Sequence, residues 1–196
     1  MLKRVLDLSA AVMGLTLLLP VIAGVAILIR VSMGSPIFFR QMRPGLNGRL
    51  FMLFKFRTMS LMQDAKGIEL PDGMRLTKVG SFLRKSSIDE IPQLINVLIG
   101  DMSLVGPRPL LIEYLPLYSV EQAKRHLVRP GITGLAQVRG RNTLSWQERF
   151  KIDIWYVENV SLVLDVKILG MTILKVLRRD GINAPGADTM EKFTGN

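Results

Sequence analysis

The stretch Arg84-Lys85-Ser86-Ser87-Ile88-Asp89-Glu90-Ile91-Pro92-Gln93 gathers more reactive groups than any other in this chain. Asp89 and Glu90 are its centre. Neighbouring positions on a helix point about 100° apart, so one acid can face a phosphorus centre while the other handles a metal ion or a proton. A structural reading competes with this one. Ser87 stands three residues before Glu90, which spells a capping box, and acids suit a helix N-terminus. Pro92 counts against the cap. In a helix starting after Ser87 it falls at the fifth position, where its missing N–H removes an early ladder bond. The backbone around the two acids is therefore expected to be irregular.

Two further segments are shaped for phosphate. Gly106-Pro107-Arg108-Pro109 presents an arginine on a stiff turn, and a guanidinium matches two phosphate oxygens at once. The run from Arg129 to Asn142 sets Gly131, Gly134 and Gly140 among Arg129, Arg139 and Arg141. Glycines let backbone N–H groups approach an anion closely. Neither run is a Walker A loop or a dinucleotide fingerprint, and a turn carrying solvated arginines reads equally well from each alone. Arg84 joins these as a phosphate candidate. Lys55 and Arg57 alternate with Phe54 and Phe56, as a half-buried strand with a basic face requires.

Composition narrows the chemistry. Lys and Arg number 26 against 16 Asp and Glu, a net charge of +10 that seeks phosphate on lipid, nucleic acid or a small molecule. Aromatics make up 7% and do not interleave with the basic residues, so stacking on single-stranded nucleic acid has little support. There is no cysteine and one histidine, His126, to which no role is assigned. Thiol chemistry, disulfides and structural zinc are excluded, which leaves a hard, oxygen-bound ion as the sensible metal.

The elements that must carry these groups begin with an apolar stretch from Val5 to Ile29, broken only by Asp7, Ser9 and Thr16. It is long enough to span a bilayer, which takes ~20 residues, and too long for a signal-peptide core. Pro20 predicts a kink. Lys3 and Arg4 precede the stretch and Arg30, Arg40, Arg43 and Arg49 follow it, so both flanks prefer the cytoplasmic face. A helix bent at Leu19-Pro20 that re-enters one leaflet satisfies both flanks; an ordinary kinked transmembrane helix is the alternative.

Pro36 to Arg57 reads as a β-hairpin turning at Pro44-Gly45-Leu46-Asn47-Gly48. Ser60 to Asp72 is expected to be loop. Helices are expected over Leu76–Lys85, Leu94–Ile99, Tyr118–Val128, Trp146–Val157 and Leu162–Arg179. The last of these aligns Leu162, Val166, Leu169, Ile173 and Leu177 on one stripe, suited to a core or a bilayer surface. The tail, 182–196, carries Gly and Pro and is expected to be loosely attached. The fold class is α+β, mainly α, with a membrane helix over 1–34, a catalytic domain over 35–181, a short hairpin and amphipathic interfacial helices.

Three runs carry a resemblance: Lys55-Phe56-Arg57-Thr58-Met59; Asp89-Glu90-Ile91-Pro92-Gln93-Leu94 continuing to Gly100-Asp101-Met102-Ser103-Leu104-Val105-Gly106-Pro107-Arg108-Pro109; and Arg129-Pro130-Gly131-Ile132-Thr133-Gly134-Leu135-Ala136-Gln137. Together they resemble the bacterial sugar transferase family, whose members are monotopic phosphoglycosyl transferases. Similarity is strongest to the small, single-domain members typified by the bacillosamine phosphotransferase of bacterial N-glycosylation. The resemblance runs from Lys3-Arg4 to about Arg179.

It implies a two-step transfer in the first membrane step of glycoconjugate assembly. Asp89 attacks the β-phosphorus of a UDP-sugar and releases UMP, and a polyprenyl (undecaprenyl) phosphate then takes the phospho-sugar. Glu90 corresponds to the second acid, serving Mg²⁺ or a proton. A re-entrant helix in the bacterial inner membrane, with the catalytic domain facing the cytoplasm, is implied as well. The family's bend commonly carries Ser-Pro where this chain has Leu19-Pro20, and Thr16 offers a substitute hydroxyl. Two rivals remain open: a non-catalytic module binding anionic lipid, which predicts that Asp89 and Glu90 are dispensable, and a nucleic-acid binder, which leaves the apolar stretch without a use.

Overall fold

A computed structural model describes residues 1–64, 66–68, 70–140, 144–178 and 192–195, apart from the side chains of 177 and 178. The apolar N-terminal stretch forms one helix, α1 (Leu2–Met33), which runs without interruption through Pro20. Half-buried and buried residues recur along it every three or four positions, at 4, 7, 11, 14, 18, 22, 25, 29 and 33. One stripe therefore faces the protein, and the rest of the surface is exposed and apolar, including Val12, Leu17, Leu19 and Ile27. Thr16 does not serve the carbonyl freed by Pro20. Its hydroxyl donates to the Val12 carbonyl instead (2.9 Å).

Both ends of α1 dock on the same body. Near its start, Asp7 accepts from the Ser103 hydroxyl (2.8 Å) and the Leu104 N–H (3.0 Å), and Arg4 donates to the Leu98 carbonyl (3.2 Å). Lys3 donates to the Val105 carbonyl and pairs with Asp165. The far end stops at Gly34 (φ 75°), a left-handed backbone that suits glycine. The carbonyls left over there are taken by Arg57, whose guanidinium donates to Met33, Gly34 and Ser35 at 2.6–3.1 Å.

The expected hairpin follows. Strand β1 (Phe38–Pro44) pairs antiparallel with β2 (Leu50–Phe56), with Arg43 opposite Phe51 and Phe39 opposite Lys55. Phe51, Leu53 and Ala11 share one hydrophobic cluster with Val97 and Met102; Phe56 shares another with Val25, Ile29 and Leu83. A short turn of helix, α2 (Asp72–Arg75), precedes α3 (Lys78–Lys85), and α4 (Gln93–Ile99) lies against β2. Asn96 of α4 is fully buried and clips the strand, accepting from the Phe54 N–H (3.0 Å) and donating to the Met52 carbonyl (2.7 Å).

A second, two-stranded sheet was not expected from sequence. Strand β3 (Ser103–Val105) pairs in parallel with β4 (Gly131–Thr133), with a short helix, α5 (Val120–Ala123), between them in the chain. The helix expected over Tyr118–Val128 is thus only α5 and a 3₁₀ turn, Lys124–Leu127. After β4 come α6 (Leu135–Arg139), α7 (Trp146–Glu158), begun by a Ser145–Glu148 capping box, and α8 (Leu162–Arg178). The face that α8 buries holds Asp165 and Ile168; of the expected stripe, Val166 and Ile173 are exposed while Leu162 and Leu169 are half-buried, so the stripe is only partly covered. The end of the tail is docked rather than loose: Phe193 is buried among Tyr114, Tyr118, Trp146 and Phe150. The rest of the tail and the 181/182 boundary lie outside the described residues.

Candidate active site

A cleft of about 1000 Å³ opens between the hairpin, the segment after α3 and helices α6 to α8. Its acids sit where the backbone is least regular. Helix α3 ends at Ser86, and Ser87 takes a left-handed conformation (φ 57°) that turns the chain into a single 3₁₀ turn, Ile88–Glu90. Pro92 then caps α4. Ser87 makes no side-chain cap, so the capping-box reading fails and the expected irregularity is present. A non-glycine residue at positive φ stores strain of the kind found at functional sites.

The two acids differ in their partners. Glu90 Oε1 accepts from Lys55 Nζ and from Arg108, both at 2.7 Å. Burial alone would raise its pKa, but Arg108 and Lys55 outweigh it and hold Glu90 well below the usual carboxylate range. Asp89 is 7% exposed and makes no hydrogen bond among the described residues; its nearest cation, Lys55 Nζ, stands 4.0 Å from Oδ2. Burial first, and the charge of Glu90 second, push Asp89 up to about 6, against the opposing pull of Lys55, Arg108 and Arg84. One acid is locked and ionised. The other is unencumbered at the cleft, ionised at neutral pH, and more basic than an ordinary carboxylate.

Chain geometry explains why these cations meet the acids. Lys55 shares a face of β2 with Phe51 and Leu53, so burying those two aims Lys55 into the cleft. Arg108 leaves β3 on a loop held at both sides: Gly106 N–H donates to Thr133 (2.9 Å) and Gly131 N–H to Pro107 (3.0 Å). Arg125 donates to the Arg108 carbonyl (2.8 Å) from behind. Arg84 lines the cleft with its Nε on the Thr58 hydroxyl (3.0 Å).

Asp89, Glu90, Lys55, Arg84 and Arg108 are thus brought together, as expected. The other expected phosphate ligands are placed differently. Arg57 reaches the cleft wall, but its guanidinium is committed to the end of α1. Arg129 donates to the Gly100 carbonyl (2.8 Å) and Arg139 lies exposed over Trp155; neither lines the cleft. Arg141 lies outside the described residues. Gly131 and Gly134 serve packing rather than anion binding. A Cβ on Gly131 would sit 2.1 Å from Gly106 N, and one on Gly134 2.2 Å from Gly106 O.

Sequence reading missed Arg43, Arg149, Lys175 and Lys192, which also line the cleft. Arg43 had a signal available, since Phe39, Gln41 and Arg43 alternate along one face of β1. The remaining three become neighbours of the site only through tertiary packing.

Among the described residues no three His, Cys, Asp or Glu gather as a metal cage. The free Asp89 carboxylate and Glu90 Oε2 still form a hard-oxygen pair. That suits Mg²⁺, which binds through one or two carboxylates and completes its shell with water and substrate phosphate.

Arg108→Lys keeps the charge beside Glu90 but loses the planar fork. It is expected to lower kcat/KM for a phosphate-bearing substrate by roughly tenfold or more. Steady-state kinetics equal to wild type would confine Arg108 to a structural role.

A family model described as bacterial sugar transferase matches residues 1–179. Over 195 residues the chain is 55% identical to a protein of Bacillus subtilis named as the uncharacterized sugar transferase EpsL, covering 100% of this chain and 96% of that one. It is 40% identical to the UDP-galactose-lipid carrier transferase of Erwinia amylovora, over 92% of this chain and 41% of the relative. It is 42% identical to the UDP-glucose:undecaprenyl-phosphate glucose-1-phosphate transferase of Caulobacter vibrioides, over 91% of this chain and 70% of the relative. The chain therefore spans nearly all of one relative and about two fifths of another.

Proposed function

The chain belongs to the bacterial sugar transferase family, and from that premise we propose that it moves a sugar 1-phosphate from a UDP-sugar to a polyprenyl phosphate through a covalent intermediate on Asp89. The observation that carries this reading is the contrast between the acids: a buried carboxyl that makes no hydrogen bond among the described residues beside one held by two cations. In the first step an Asp89 oxygen bonds to the β-phosphorus, the bond to the bridging oxygen breaks, and UMP leaves with its electron pair. In the second, a phosphate oxygen of the lipid bonds to the same phosphorus and Asp89 departs as carboxylate. Donor and acceptor classes are those in the names of the relatives, which differ in the sugar.

Lys55 and Arg108 hold Glu90 ionised and keep positive charge beside the reacting phosphorus, where the displacement spreads negative charge over oxygen. Arg84 adds to that field from α3. When bound, Mg²⁺ on Asp89 and Glu90 would neutralise the diphosphate and ease departure of UMP. Activity is expected to vanish in EDTA and return with Mg²⁺ or Mn²⁺; turnover unchanged after exhaustive chelation removes the ion from the reaction.

The docking of α1 supports a reading of the topology. A straight helix over Leu2–Met33 is about 47 Å long, more than the ~30 Å hydrocarbon core. A helix crossing the bilayer carries one end away from the protein body. Here both ends rest on it, and both flanks are basic. We read α1 as seated in the cytoplasmic leaflet of the inner membrane, with the cleft at headgroup level where a lipid phosphate lies. Cysteines introduced at Leu2 and Ser35 are then both expected to resist a membrane-impermeant thiol reagent in intact cells. Labelling of the Leu2 position from outside makes α1 an ordinary transmembrane helix.

The decisive experiment for the reaction is intact mass after mixing the protein with a panel of UDP-sugars and no acceptor. A sugar-phosphate adduct with release of UMP supports the two-step route. Transfer to lipid without an adduct under single-turnover conditions points instead to direct displacement.

A further inference from the structure

Helix α8 changes partners along its length. In its first half the inward positions, Asp165 and Ile168, are buried in the protein, and Asp165 pairs with Lys3 in the first turn of α1. The same face, continued by three- and four-residue steps, carries Thr172, Lys175 and Val176, and these line the cleft instead. Thr172 is fixed there. Its hydroxyl donates to the Ile168 carbonyl (2.7 Å) and therefore accepts from the Thr133 hydroxyl (2.8 Å), so both hydroxyl protons are used within the protein.

Lys175 has no such engagement. It is half-buried and makes no hydrogen bond or ion pair among the described residues. Of the acids that line the cleft, Asp72, Glu90 and Asp153 are each paired with another cation, and Asp89 has Lys55 as its nearest. The side chains around Lys175 on the helix are apolar: Met171, Ile173, Leu174 and Val176 are 37–61% exposed. Up to Val176, Lys167 is the one charged residue among the exposed positions of α8. β4 and α6, which pack against α8, bring Ile132, Ala136 and Val138 to the cleft beside Thr133.

An exposed apolar face of this kind marks contact with a membrane or another protein. Lipid is favoured here because α8 starts beside α1, tied to it by Lys3 and Asp165, and α1 has its own apolar outer face. An ammonium between lipid-facing side chains and an aqueous cleft stands at the level where a lipid phosphate lies.

We propose that Lys175 binds the phosphate of the carrier lipid where it enters the cleft from the bilayer, while α6 and the last two turns of α8 give the adjoining isoprene units an apolar wall. The proposal rests on the transfer reaction above for the identity of that lipid. It divides the cleft between the substrates: the donor diphosphate is taken at the acids, and the acceptor arrives from the α8 side.

The test measures binding of farnesyl phosphate and of UMP to the full-length protein in detergent by calorimetry, and adduct formation with UDP-sugars in the absence of acceptor. Lys175→Gln is expected to weaken farnesyl phosphate roughly tenfold or more, the worth of a charge-assisted hydrogen bond. UMP affinity and the rate of adduct formation should stay within about twofold of wild type, which also shows that the variant is folded. Lys175→Arg should keep farnesyl phosphate within about threefold; an arginine variant as weak as the glutamine one denies the charge a role. Lys167→Gln makes the same charge change on the exposed face of α8 and should alter neither affinity. Farnesyl phosphate binding within twofold of wild type in Lys175→Gln overturns the subsite. So does an equal loss in Lys167→Gln, which makes the effect one of general surface charge, and so does a loss confined to UMP, which assigns Lys175 to the donor. The reaction stands or falls separately: a protein that binds farnesyl phosphate through Lys175 but forms no sugar-phosphate adduct overturns the transferase mechanism alone.

Discussion

Asp89→Asn is expected to abolish the sugar-phosphate adduct and turnover together, by about 10³-fold or more, while leaving the protein at least as stable as wild type at pH 7. An amide is a far poorer nucleophile and carries no charge. The stability half of the expectation follows from linkage. In the folded chain, burial and then Glu90 push the Asp89 carboxyl up to about 6, whereas an unfolded aspartate titrates near 3.9. Between those values the folded protein keeps a proton that the unfolded chain has released, so stability falls as pH rises through that window. Above about pH 6 the ionised carboxylate is a standing penalty, and asparagine removes it. Intact mass with a UDP-sugar and thermal unfolding of the same two samples read both halves. The rate of adduct formation in wild type should also decline as pH drops through about 6, when the nucleophile is protonated. Turnover by Asp89→Asn sinks the assignment, and loss of activity accompanied by a lower Tm makes the carboxylate structural.

Asp153→Ala is expected to do the opposite, damaging the fold first and the site through it. Arg125 and Asp153 are 2% and 3% exposed and pair at 2.8 Å, with Arg125 also facing the rings of Tyr118 and Phe150. Burial raises the Asp153 carboxyl even against the pull of Arg125. Removing the acid strands a buried guanidinium, which costs about 3–5 kcal/mol, a fall in Tm of roughly 10 °C for a chain of this size. Removing both charges with Arg125→Met and Asp153→Ala should recover much of that loss, because a buried pair replaced by apolar groups is often neutral. Activity should not recover with it, since the Arg108 carbonyl loses the donor that holds it from behind. A Tm for Asp153→Ala within about a degree of wild type would show that the pair carries little of the fold.

The hairpin was legible because its information is local: two apolar runs around Pro44-Gly45-Leu46-Asn47-Gly48, with alternation to set the faces. Helices α3, α4 and α7 were legible from their period, and the irregular acid turn from Pro92 alone. β3 and β4 were not. Each is three residues long, and the paired Ser103 and Gly131 are 28 positions apart, so no periodicity within either segment announces them. The same gap hid what Gly131 and Gly134 do, since a glycine that lets two backbones touch looks in sequence like one that cradles an anion. Arg57 was read as a phosphate ligand for a related reason. Its alternation with Phe54 and Phe56 was read correctly, but the three carbonyls that claim it belong to a helix end more than twenty residues away. Helix α8 is apolar on more than one side, and a period can say that a stripe exists without saying which stripe is covered.

The way α1 is seated limits how the protein can be engineered. Ala11 and Ile29 are fully buried, each in a separate hydrophobic cluster shared with the hairpin, and Asp7 satisfies the hydroxyl and N–H at the start of β3, three residues upstream of the Gly106 loop that presents Arg108. An anchor in the usual sense is modular: it can be trimmed, or exchanged for a foreign span, without touching what it tethers. α1 is not modular. Cutting the chain at residue 35 would open two clusters to water, take the Met33 and Gly34 carbonyls away from Arg57, and loosen the strand from which Arg108 hangs. A water-soluble version of this protein has to be sought by making the outer face of α1 polar, at positions such as Val12, Leu17 and Ile27, while its inner stripe is left intact.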